Sequence, residues 1–417
     1  MRRGAISTVG VVAGAAAVVL GAAPTHLTAA TALLPKSPYS FCPGPEKLVT
    51  PHTHWHHHRL ARGVTLAETT AHDRRGRVAI HVLRIDLRNR RLDVRPLHRG
   101  LATRYRLNHL AHHRHLVAAT NGMYFNLYWG APKVPLIEHR RPLVLSRRHL
   151  RVAGIDIHGT ARSARVWLDG TVASHGRHRP LQAVNVVAPP TGLTLYTRAW
   201  GAHRVPLPGD ARSRRLRNDH FRPGLGRHHH PPRHGELLVA RGRHARHWLA
   251  SLRHRDRVTV SRQVRTDGQV ALREAYGVGT QVVAKAGQVG HHLYCRRGEI
   301  FAARTTIGWK RHGTRLLLVT VEGKRGRRQH GLDENQMSGL LVQLGAERAY
   351  ALDGGGSTSL ITRMRRHHHR LSSRIQPSWG LRPIPVGLGV FARRRAYRPP
   401  SPQEQRRAVQ AADGYRW

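Results

Sequence analysis

An aspartate followed by three glycines closes an apolar stretch late in the chain, in the segment Leu352-Asp353-Gly354-Gly355-Gly356-Ser357-Thr358. A carboxylate at this point can reach a ligand, and a glycine backbone lets that ligand approach closely. Gly-rich turns also direct several N–H groups at one point, which forms a concavity for a phosphate or carboxylate. The segment therefore suggests chemistry on a phosphorylated substrate at Asp353. The alternative is a surface turn that Asp353 merely caps.

Two apolar stretches before the glycines are each followed by an acid. Residues 316–321 form a continuous apolar run suited to a central strand, and Glu322 follows them. Residues 348–352 form a second strand, which delivers Asp353. Between them, residues 334–344 carry apolar side chains at helical spacing. If the two strands are parallel, both acids return to the same edge of a sheet.

The rest of the chain is mostly β in character. Residues 78–87, 152–157 and 165–168 read as strands, and we expect Asp169-Gly170 to be a hairpin turn. Asp267-Gly268 reads as a turn in the same way. The predicted fold class is α+β, with mixed, β-rich sheets, a few packed helices and a single catalytic domain.

The charge is strongly one-sided, with 71 Lys plus Arg against 22 Asp plus Glu and a formal net charge of +49. Such a field attracts acidic cell-surface polymers of many kinds. The basic residues are scattered from Arg2 to Arg416, without zinc-finger spacing or an aromatic RNP-like pattern. We therefore expect no specific nucleic-acid readout. The alternative explanation for part of the arginine content is a GC-rich coding genome.

The N-terminus reads as an export signal, with Arg2-Arg3 ahead of an apolar run and small residues after it. We expect a secreted or cell-surface protein with no stable membrane span once the signal is removed. Residues 6–23 are long enough that an uncleaved anchor stays open. In an oxidising compartment Cys42 and Cys295 can form one disulfide, the alternative being two unpaired thiols.

Composition divides the chain into five predicted segments. They are a signal peptide at residues 1–30, a His/Pro-rich linker at 31–60, the catalytic domain at 61–392, a basic surface insertion within it at 210–234, and a disordered tail at 393–417.

Several motifs in order resemble those of the phosphodiester glycosidase family, from about Val64 to Phe391. They are Asn121-Gly122-Met123-Tyr124-Phe125-Asn126, Arg304-Thr305-Thr306-Ile307-Gly308, Val319-Thr320-Val321-Glu322-Gly323 and the segment from Leu352 to Thr358. Four places depart from the family pattern, one of them the closing segment Arg382-Pro383-Ile384-Pro385-Val386-Gly387, which lacks its usual Asn. Ala303 stands where Pro is usual, Glu322 where Asp is common, and Asn335-Gln336 where a Glu is usual.

The resemblance implies hydrolysis of a sugar-1-phosphodiester, with a phosphorylated glycan as substrate. Asp353 and Glu322 would be the catalytic carboxylates, by analogy with glycosidases in general. Arg304 would clamp phosphate oxygens. The other predicted contacts to phosphate or sugar are Thr305, Asn121, Gly354, Gly355, Gly356, Ser357 and Thr358. No cofactor is required, although a Ca²⁺ or Mg²⁺ ion at Asp353 stays open.

Other hydrolase and nucleotide motifs fit worse. Ser357 lacks the final glycine of a nucleophile elbow, and the glycine triplet lacks the lysine of a P-loop. Two hypotheses therefore stand. The first is a secreted hydrolase acting on an N-acetylglucosamine-1-phosphate-type diester or an anionic glycan of the cell wall or extracellular space. The second is a non-catalytic binder of anionic polymers such as teichoic acid, acidic polysaccharide or nucleic acid.

Overall fold

The computed structural model describes residues 39–41, 54–73, 76–222, 227–232, 234–285, 288–289, 294–296, 301–323, 329–363, 371–375, 381–393, 396–398, 401 and 403–404. All of them belong to the compact unit Tyr39–Trp417. The predicted signal peptide and Cys42 lie outside the described residues.

The described residues form 26 strands. They are β1 (Tyr39–Phe41), β2 (His56–Ala61), β3 (Val64–Asp73), β4 (Gly76–Asp86), β5 (Leu92–Leu97), β6 (Leu116–Asn121), β7 (Leu136–Glu138), β8 (Arg141–Ser146), β9 (Leu150–Asp156), β10 (Ala161–Ser174), β11 (Arg177–Val184), β12 (Gly192–Thr197), β13 (Arg212–Arg217), β14 (His220–Phe221), β15 (Glu236–Arg241), β16 (Thr259–Thr266), β17 (Leu272–Gly277), β18 (Gln281–Lys285), β19 (Gln288–Val289), β20 (Tyr294–Arg296), β21 (Arg304–Lys310), β22 (Arg315–Val321), β23 (Arg348–Ala351), β24 (Leu360–Arg363), β25 (Leu371–Ser373) and β26 (Gly387–Ala392).

Three α-helices and three short 3₁₀ turns connect the strands in the same ranges. The helices are α1 (Leu107–Leu110), α2 (Arg243–Ser251) and α3 (Glu334–Gln343), and the turns are Arg198–Trp200, Asp267–Gln269 and Gly355–Ser357. No described helix has the length and apolar character needed to cross a bilayer.

Most of these strands belong to three sheets. The largest has the order β14-β13-β15-β12-β11-β8-β7-β17-β9-β10-β16, with β10 also pairing β11. The second has the order β19-β18-β23-β21-β22-β4-β3-β2, the third β25-β24-β6-β26-β5, and β1 pairs with β20. The predicted β-rich α+β class is confirmed.

The second sheet has two buried faces, which explains the continuous apolar run in β22. Leu316 and Leu318 join a core that includes residues of the five-stranded sheet. Leu317 and Val319 join a different core, which the apolar side of α3 covers. Alternate residues of one strand thus fill two cores, so no polar face is needed.

Helix α3 begins and ends where the sequence places it. The Asp333 side chain accepts a hydrogen bond from the Gln336 backbone N–H at 2.7 Å, and the Gln336 side chain accepts one from the Asp333 N–H at 3.3 Å. This reciprocal pair caps the first turn. Gly345, with φ +77°, follows the last turn and takes the left-handed conformation.

Asp169-Gly170 is not a hairpin turn, which corrects the sequence-based expectation. Both residues lie inside β10, and Asp169 forms an ion pair with Arg265 of the neighbouring β16 at 2.9 Å. A Cβ at Gly170 would come within 2.9 Å of the Ser261 carbonyl oxygen. The glycine therefore permits close strand pairing rather than a turn. Asp267-Gly268 does form a turn, with φ +69° at the glycine.

Three segments expected to be peripheral are partly structured. The end of the His/Pro-rich linker forms β2, which pairs with β3. The start of the basic insertion forms β13 and β14, with Ser213 and Phe221 buried. In the tail, the Tyr397 hydroxyl donates to the Ile157 carbonyl at 3.0 Å. Strands β2, β13 and β14 were not predicted from composition because arginines and histidines occupy their solvent-facing positions.

Candidate active site

The two acids at the strand ends lie at the same edge of the eight-stranded sheet, as expected. Strands β22 and β23 both pair antiparallel with β21, so they run parallel to each other on its two sides. Continuing the β21–β23 register beyond the Thr306–Ala351 pair brings Asp353 opposite Arg304. The backbones of β22 and β23 are about 9–10 Å apart, since one strand separates them.

The glycine turn after Asp353 packs against β21. The Gly355 N–H donates to the Ala303 carbonyl at 2.8 Å, and a Cβ at Gly354 would come within 3.0 Å of the same oxygen. The Gly354 N–H donates to Oδ1 of Asp353 at 3.1 Å. Two of the three amides predicted to bind phosphate therefore make bonds within the protein. The glycines here serve close backbone packing.

Asn121 anchors the segment that carries Asp353. Its Nδ2 donates to the Asp353 carbonyl at 2.6 Å, and its Oδ1 accepts from the Thr305 hydroxyl at 2.8 Å and the Ser359 N–H at 3.1 Å. The Asn121 side chain is 0% exposed. Its polar atoms are committed to neighbouring strands and loops. The predicted contact between Asn121 and substrate is thus replaced by a positioning role.

The three predicted hydroxyl contacts are also buried. Thr305, Ser357 and Thr358 are each no more than 1% exposed, and Thr305 lies 3.4 Å from Thr358 between the hydroxyl oxygens. Burial raises the pKa of the Asp353 carboxyl, and the Ser357 hydroxyl, although it makes no hydrogen bond at ordinary distance, lies near enough to oppose that rise. Ser357 is the member of this group that faces Asp353.

The Arg304 side chain contacts the start of helix α3. Its Nε donates to the Leu332 carbonyl at 3.0 Å, and its Nη1 lies 3.7 Å from Oε1 of Glu334. Glu334 is the first residue of α3, and burial raises the pKa of its carboxyl, although the Arg304 charge opposes this shift. A second carboxyl therefore stands at the site, one position before the Asn335-Gln336 pair that replaces the family's usual Glu.

The charges of Asp353 and Glu334 both act on Tyr124. Burial raises the pKa of its phenol, and the charges of Asp353 and Glu334 raise it further, so the hydroxyl stays protonated and can donate a hydrogen bond. A Cβ at Gly279 would come within 2.6 Å of the Tyr124 oxygen. The absence of a side chain at Gly279 thus makes room for the tyrosine hydroxyl.

Two exposed cations act on Asp353. The Arg382 guanidinium lies over Gly356, where an added Cβ would meet its Nη2 at 2.9 Å. Lys133 comes from the loop after Tyr124, and its N–H donates to the Tyr124 carbonyl at 3.0 Å. Burial raises the pKa of the Asp353 carboxyl above its usual value. The charges of Arg382 and Lys133 oppose that rise without cancelling it.

Glu322 belongs to a different cluster. Its Oε1 lies 3.1 Å from Nε2 of His81, and its Oε2 accepts from the Gln329 side chain at 2.9 Å. Nδ1 of His81 lies 2.9 Å from Oε1 of Glu68, which also pairs with Arg374. Buried His81 between two carboxylates has a raised pKa, because both hydrogen bonds favour the charged ring even though desolvation opposes it.

The alternation of side chains along each strand separates Glu322 from Asp353. Val321 faces the core beneath α3, so the next side chain, Glu322, turns to the other face and meets His81 of β4. Arg304 faces α3, on the side of Glu334. The structure therefore places the Glu322 carboxyl with His81 and the Glu334 carboxyl beside Arg304. The catalytic roles of Asp353 and Glu322 stay predictions.

A Ca²⁺ or Mg²⁺ ion at Asp353 stays a prediction. Across the described ranges, no group of three or more His, Cys, Asp or Glu side chains is arranged to hold a metal ion. The charges that act most strongly on Asp353 are those of Arg382 and Lys133, which repel Ca²⁺ or Mg²⁺. Side chains at Cys295 and Cys42 fall outside the described atoms, so the disulfide stays a prediction.

Glu334, Arg382, Lys133 and Tyr124 were not assigned roles from the sequence. The signal for Glu334 was its place in the first turn of a capped helix, where an acid is usually a capping group. Tyr124 lay inside a motif already singled out. Arg382 begins the closing segment of the resemblance, but its side chain was given no role. Nothing local marks Lys133 among so many basic residues.

Residues 224–391 match the phosphodiester glycosidase family, which confirms the resemblance seen in the motifs over that part of the chain. The matched region contains Asp353, Glu334, Arg304 and Arg382. Tyr124 and Lys133 lie before it. A comparison with curated proteins found no match.

Solved structures share the fold at low identity. A hypothetical protein from Synechocystis has 19% identity and a TM-score of 0.68 over 81% of this chain, which spans 64% of that protein. A protein from Burkholderia pseudomallei has 19% identity and a TM-score of 0.61, covering 76% of this chain and 74% of its own. The catalytic domain of zebrafish N-acetylglucosamine-1-phosphodiester alpha-N-acetylglucosaminidase has 14% identity over 86% of this chain and 97% of its own, with a TM-score of 0.43.

Proposed function

Starting from the family match over residues 224–391, we propose that this chain hydrolyses the glycosidic bond of a sugar-1-phosphodiester. The setting of Asp353 carries the proposal: a largely buried carboxyl with a raised pKa on which Arg382 and Lys133 act. Hydrolysis of such a diester develops positive charge on the sugar and negative charge on the departing phosphate. The Asp353 carboxylate can stabilise the positive charge on the sugar, and the two cations can stabilise the negative charge on the phosphate.

In the proposed reaction, the bond between the anomeric carbon and the phosphate oxygen breaks, and its electron pair stays on the phosphate. A water oxygen bonds to the anomeric carbon, and Asp353 takes one of the water protons. The products are the free sugar and a phosphate monoester. The raised pKa of Asp353 makes it a better proton acceptor than an ordinary aspartate.

The other site residues stabilise the departing phosphate. Arg382 and Lys133 are exposed and can contact its oxygens, and the Tyr124 hydroxyl can donate to one of them. Glu334, whose pKa is also raised, supplies the second carboxyl and fixes Arg304. A phosphate monoester is a good leaving group, so charge stabilisation contributes more here than protonation does.

The test is release of sugar from an N-acetylglucosamine-1-phosphodiester by the wild-type chain and by Asp353→Asn. We expect Asp353→Asn to lower kcat by a factor of about 10²–10⁴. A matched control is Asp169→Asn, which removes an exposed carboxylate paired with Arg265 in the eleven-stranded sheet. Equal rates in wild type and Asp353→Asn would refute the assignment of Asp353. No release by the wild type from this diester or from teichoic-acid fragments would refute the hydrolase for these substrates.

A non-catalytic binder of anionic polymers is the competing proposal, supported by the net charge of +49. Binding through that charge alone would disappear at high salt and would be the same in wild type and Asp353→Asn. Site-specific binding would instead differ between the two proteins.

We also propose that the chain acts outside the cytoplasm on an anionic glycan of the cell surface. The N-terminal signal pattern and the basic surface support this location. Expression of the full chain followed by mass spectrometry of the secreted product tests it. A mature chain that begins near residue 31 is the expected result, and full-length protein retained in the cytoplasm would refute it.

A further inference from the structure

Three consecutive apolar side chains stand exposed on one loop. In the part of the chain that the structure describes, the exposed large apolar residues are Leu127 (58%), Tyr128 (81%) and Trp129 (41%). Together they form what we call the aromatic tip. Contiguous exposed apolar side chains commonly mark a binding surface.

The aromatic tip is held in a defined shape. Oδ1 of Asn126 accepts from the N–H groups of Tyr128 and Trp129 at 2.9 and 3.0 Å. Arg104 donates to the Leu127 carbonyl at 2.8 Å. The Tyr128 and Trp129 rings lie 4.8 Å apart between centroids and are nearly perpendicular, at 88°. Tyr and Trp side chains have only two χ angles each, so they lose little conformational entropy when a ligand covers them.

The aromatic tip is continuous with the proposed active site. Its loop is a narrow hairpin in which Phe125 pairs with Pro132, and the Asn126 N–H donates to the Ala131 carbonyl at 2.8 Å. The residues at its base are Tyr124 and Lys133, which both act at Asp353. Trp129 follows Tyr124 by five residues, so the chain can place it at most about 17 Å from the tyrosine. An oligosaccharide of a few units spans that distance.

The chemistry of the surface matches a sugar-phosphate chain. Aromatic faces pack against the C–H face of a sugar ring, and the Tyr hydroxyl and Trp N–H supply polar contacts at their edges. The exposed Arg104 places positive charge beside the rings, which suits the phosphates between sugars. A purely apolar partner would leave this charge without a counterpart.

We propose that the aromatic tip is a second subsite, which binds sugar rings of a phosphodiester-linked glycan whose reacting bond lies at Asp353. The inference rests on the proposed function for the position of the reacting bond. It assigns a polymer, rather than a single sugar-1-phosphodiester, as the preferred ligand class.

The experiment measures binding without turnover. The probes are the methyl diester of N-acetylglucosamine-1-phosphate and a chain of several N-acetylglucosamine-1-phosphate repeats. Calorimetry in the Asp353→Asn background gives Kd for each, with and without the double change Tyr128→Ala and Trp129→Ala. We expect the double variant to weaken binding of the oligomer by about ten- to a hundred-fold, and binding of the methyl diester far less.

Controls separate this role from general effects. Trp167→Ala removes a partly exposed tryptophan of β10, in the eleven-stranded sheet, that stacks on His149, and it should leave the oligomer Kd unchanged. Trp129→Phe, which keeps an aromatic ring, should restore most of the affinity. The double variant should retain the wild-type far-ultraviolet circular dichroism because both side chains are exposed.

Several outcomes would overturn the proposal. Equal losses for oligomer and methyl diester would place the aromatic tip at the reacting sugar or show a general defect. Tip-dependent dimerisation in analytical ultracentrifugation, or tip-dependent binding to anionic phospholipid vesicles without binding of the oligomer, would assign the surface to another partner. Tip-dependent oligomer binding without hydrolysis by the wild type would refute the proposed function alone. Hydrolysis of the oligomer that is unaffected by the double variant would refute the subsite alone.

Discussion

Replacing Asn121 with alanine should destabilise the fold and the site together. The change leaves the Asp353 carbonyl, the Thr305 hydroxyl and the Ser359 N–H without their partner, at a position that is 0% exposed. Each buried polar group left unsatisfied costs about 1–3 kcal/mol. The Thr305 hydroxyl can turn toward Thr358, 3.4 Å away, so we count two full losses. The expected decrease in the free energy of unfolding is about 2–6 kcal/mol.

Urea denaturation followed by circular dichroism measures this decrease. Asn89→Ala is the matched control, because Asn89 also makes hydrogen bonds, to the Arg62 carbonyl and the Arg91 N–H, but at an exposed turn. It should cost less than about 1 kcal/mol, since water can replace the lost partner. Sugar release should fall in Asn121→Ala even under conditions in which the protein stays folded, because the Asp353 backbone loses its anchor. A loss of stability as small as that of the control would refute the anchoring role.

Three further predictions concern single groups. Burial raises the pKa of Glu274 to about 8, so stability that is fully present below about pH 4.5 should be lost as pH rises toward 8. Glu274→Gln should flatten this dependence of Tm on pH, and an unchanged slope would contradict it. The pKa of Glu68 falls to about 2, because the His81 and Arg374 contacts outweigh the opposing effect of burial. Its contribution is therefore present above about pH 4.5 and lost as pH falls toward 2, so the Tm deficit of Glu68→Gln should be largest near neutral pH and shrink in acid. A deficit independent of pH would argue against the ionic role. Gly279→Ala places a methyl group 2.6 Å from the Tyr124 oxygen and should lower kcat about ten-fold, whereas Gly209→Ala, with open space around it, should not.

The residues around Asp353 show how far sequence reasoning reaches. Strand β22, helix α3 and strand β23 were predicted because each has a local pattern: an apolar run, a helical period with a cap, and a short strand before glycines. Their order also gave the common edge of Glu322 and Asp353. What it did not give was the face on which each side chain lies, because that depends on register with β21 and on which core covers each face.

Lys133, Arg382 and Glu334 were missed for a related reason. They reach Asp353 or Arg304 from a hairpin, from the segment before β26 and from a helix start, and only tertiary packing brings these together. Among 71 Lys and Arg residues, composition cannot distinguish a cation at a site from one at the surface. The prediction of a turn at Asp169-Gly170 was wrong for a different reason. A local turn pattern was present there, but pairing of β10 with β16 keeps both residues in the strand.

Two residues of strand β21 favour its native register in the sheet. Its neighbouring residues Arg304 and Thr305 point to opposite faces, toward Glu334 and toward Asn121 respectively. A slip of one residue during folding would carry the guanidinium to the buried side of Asn121 and remove the hydroxyl from it. Both errors are costly, because one buries a charge and the other leaves an amide oxygen short of a donor. Incorrect pairings of this strand should therefore be short-lived. Arg304 and Thr305 thus help to select the correct pairing of β21 during folding, in addition to their place at the site.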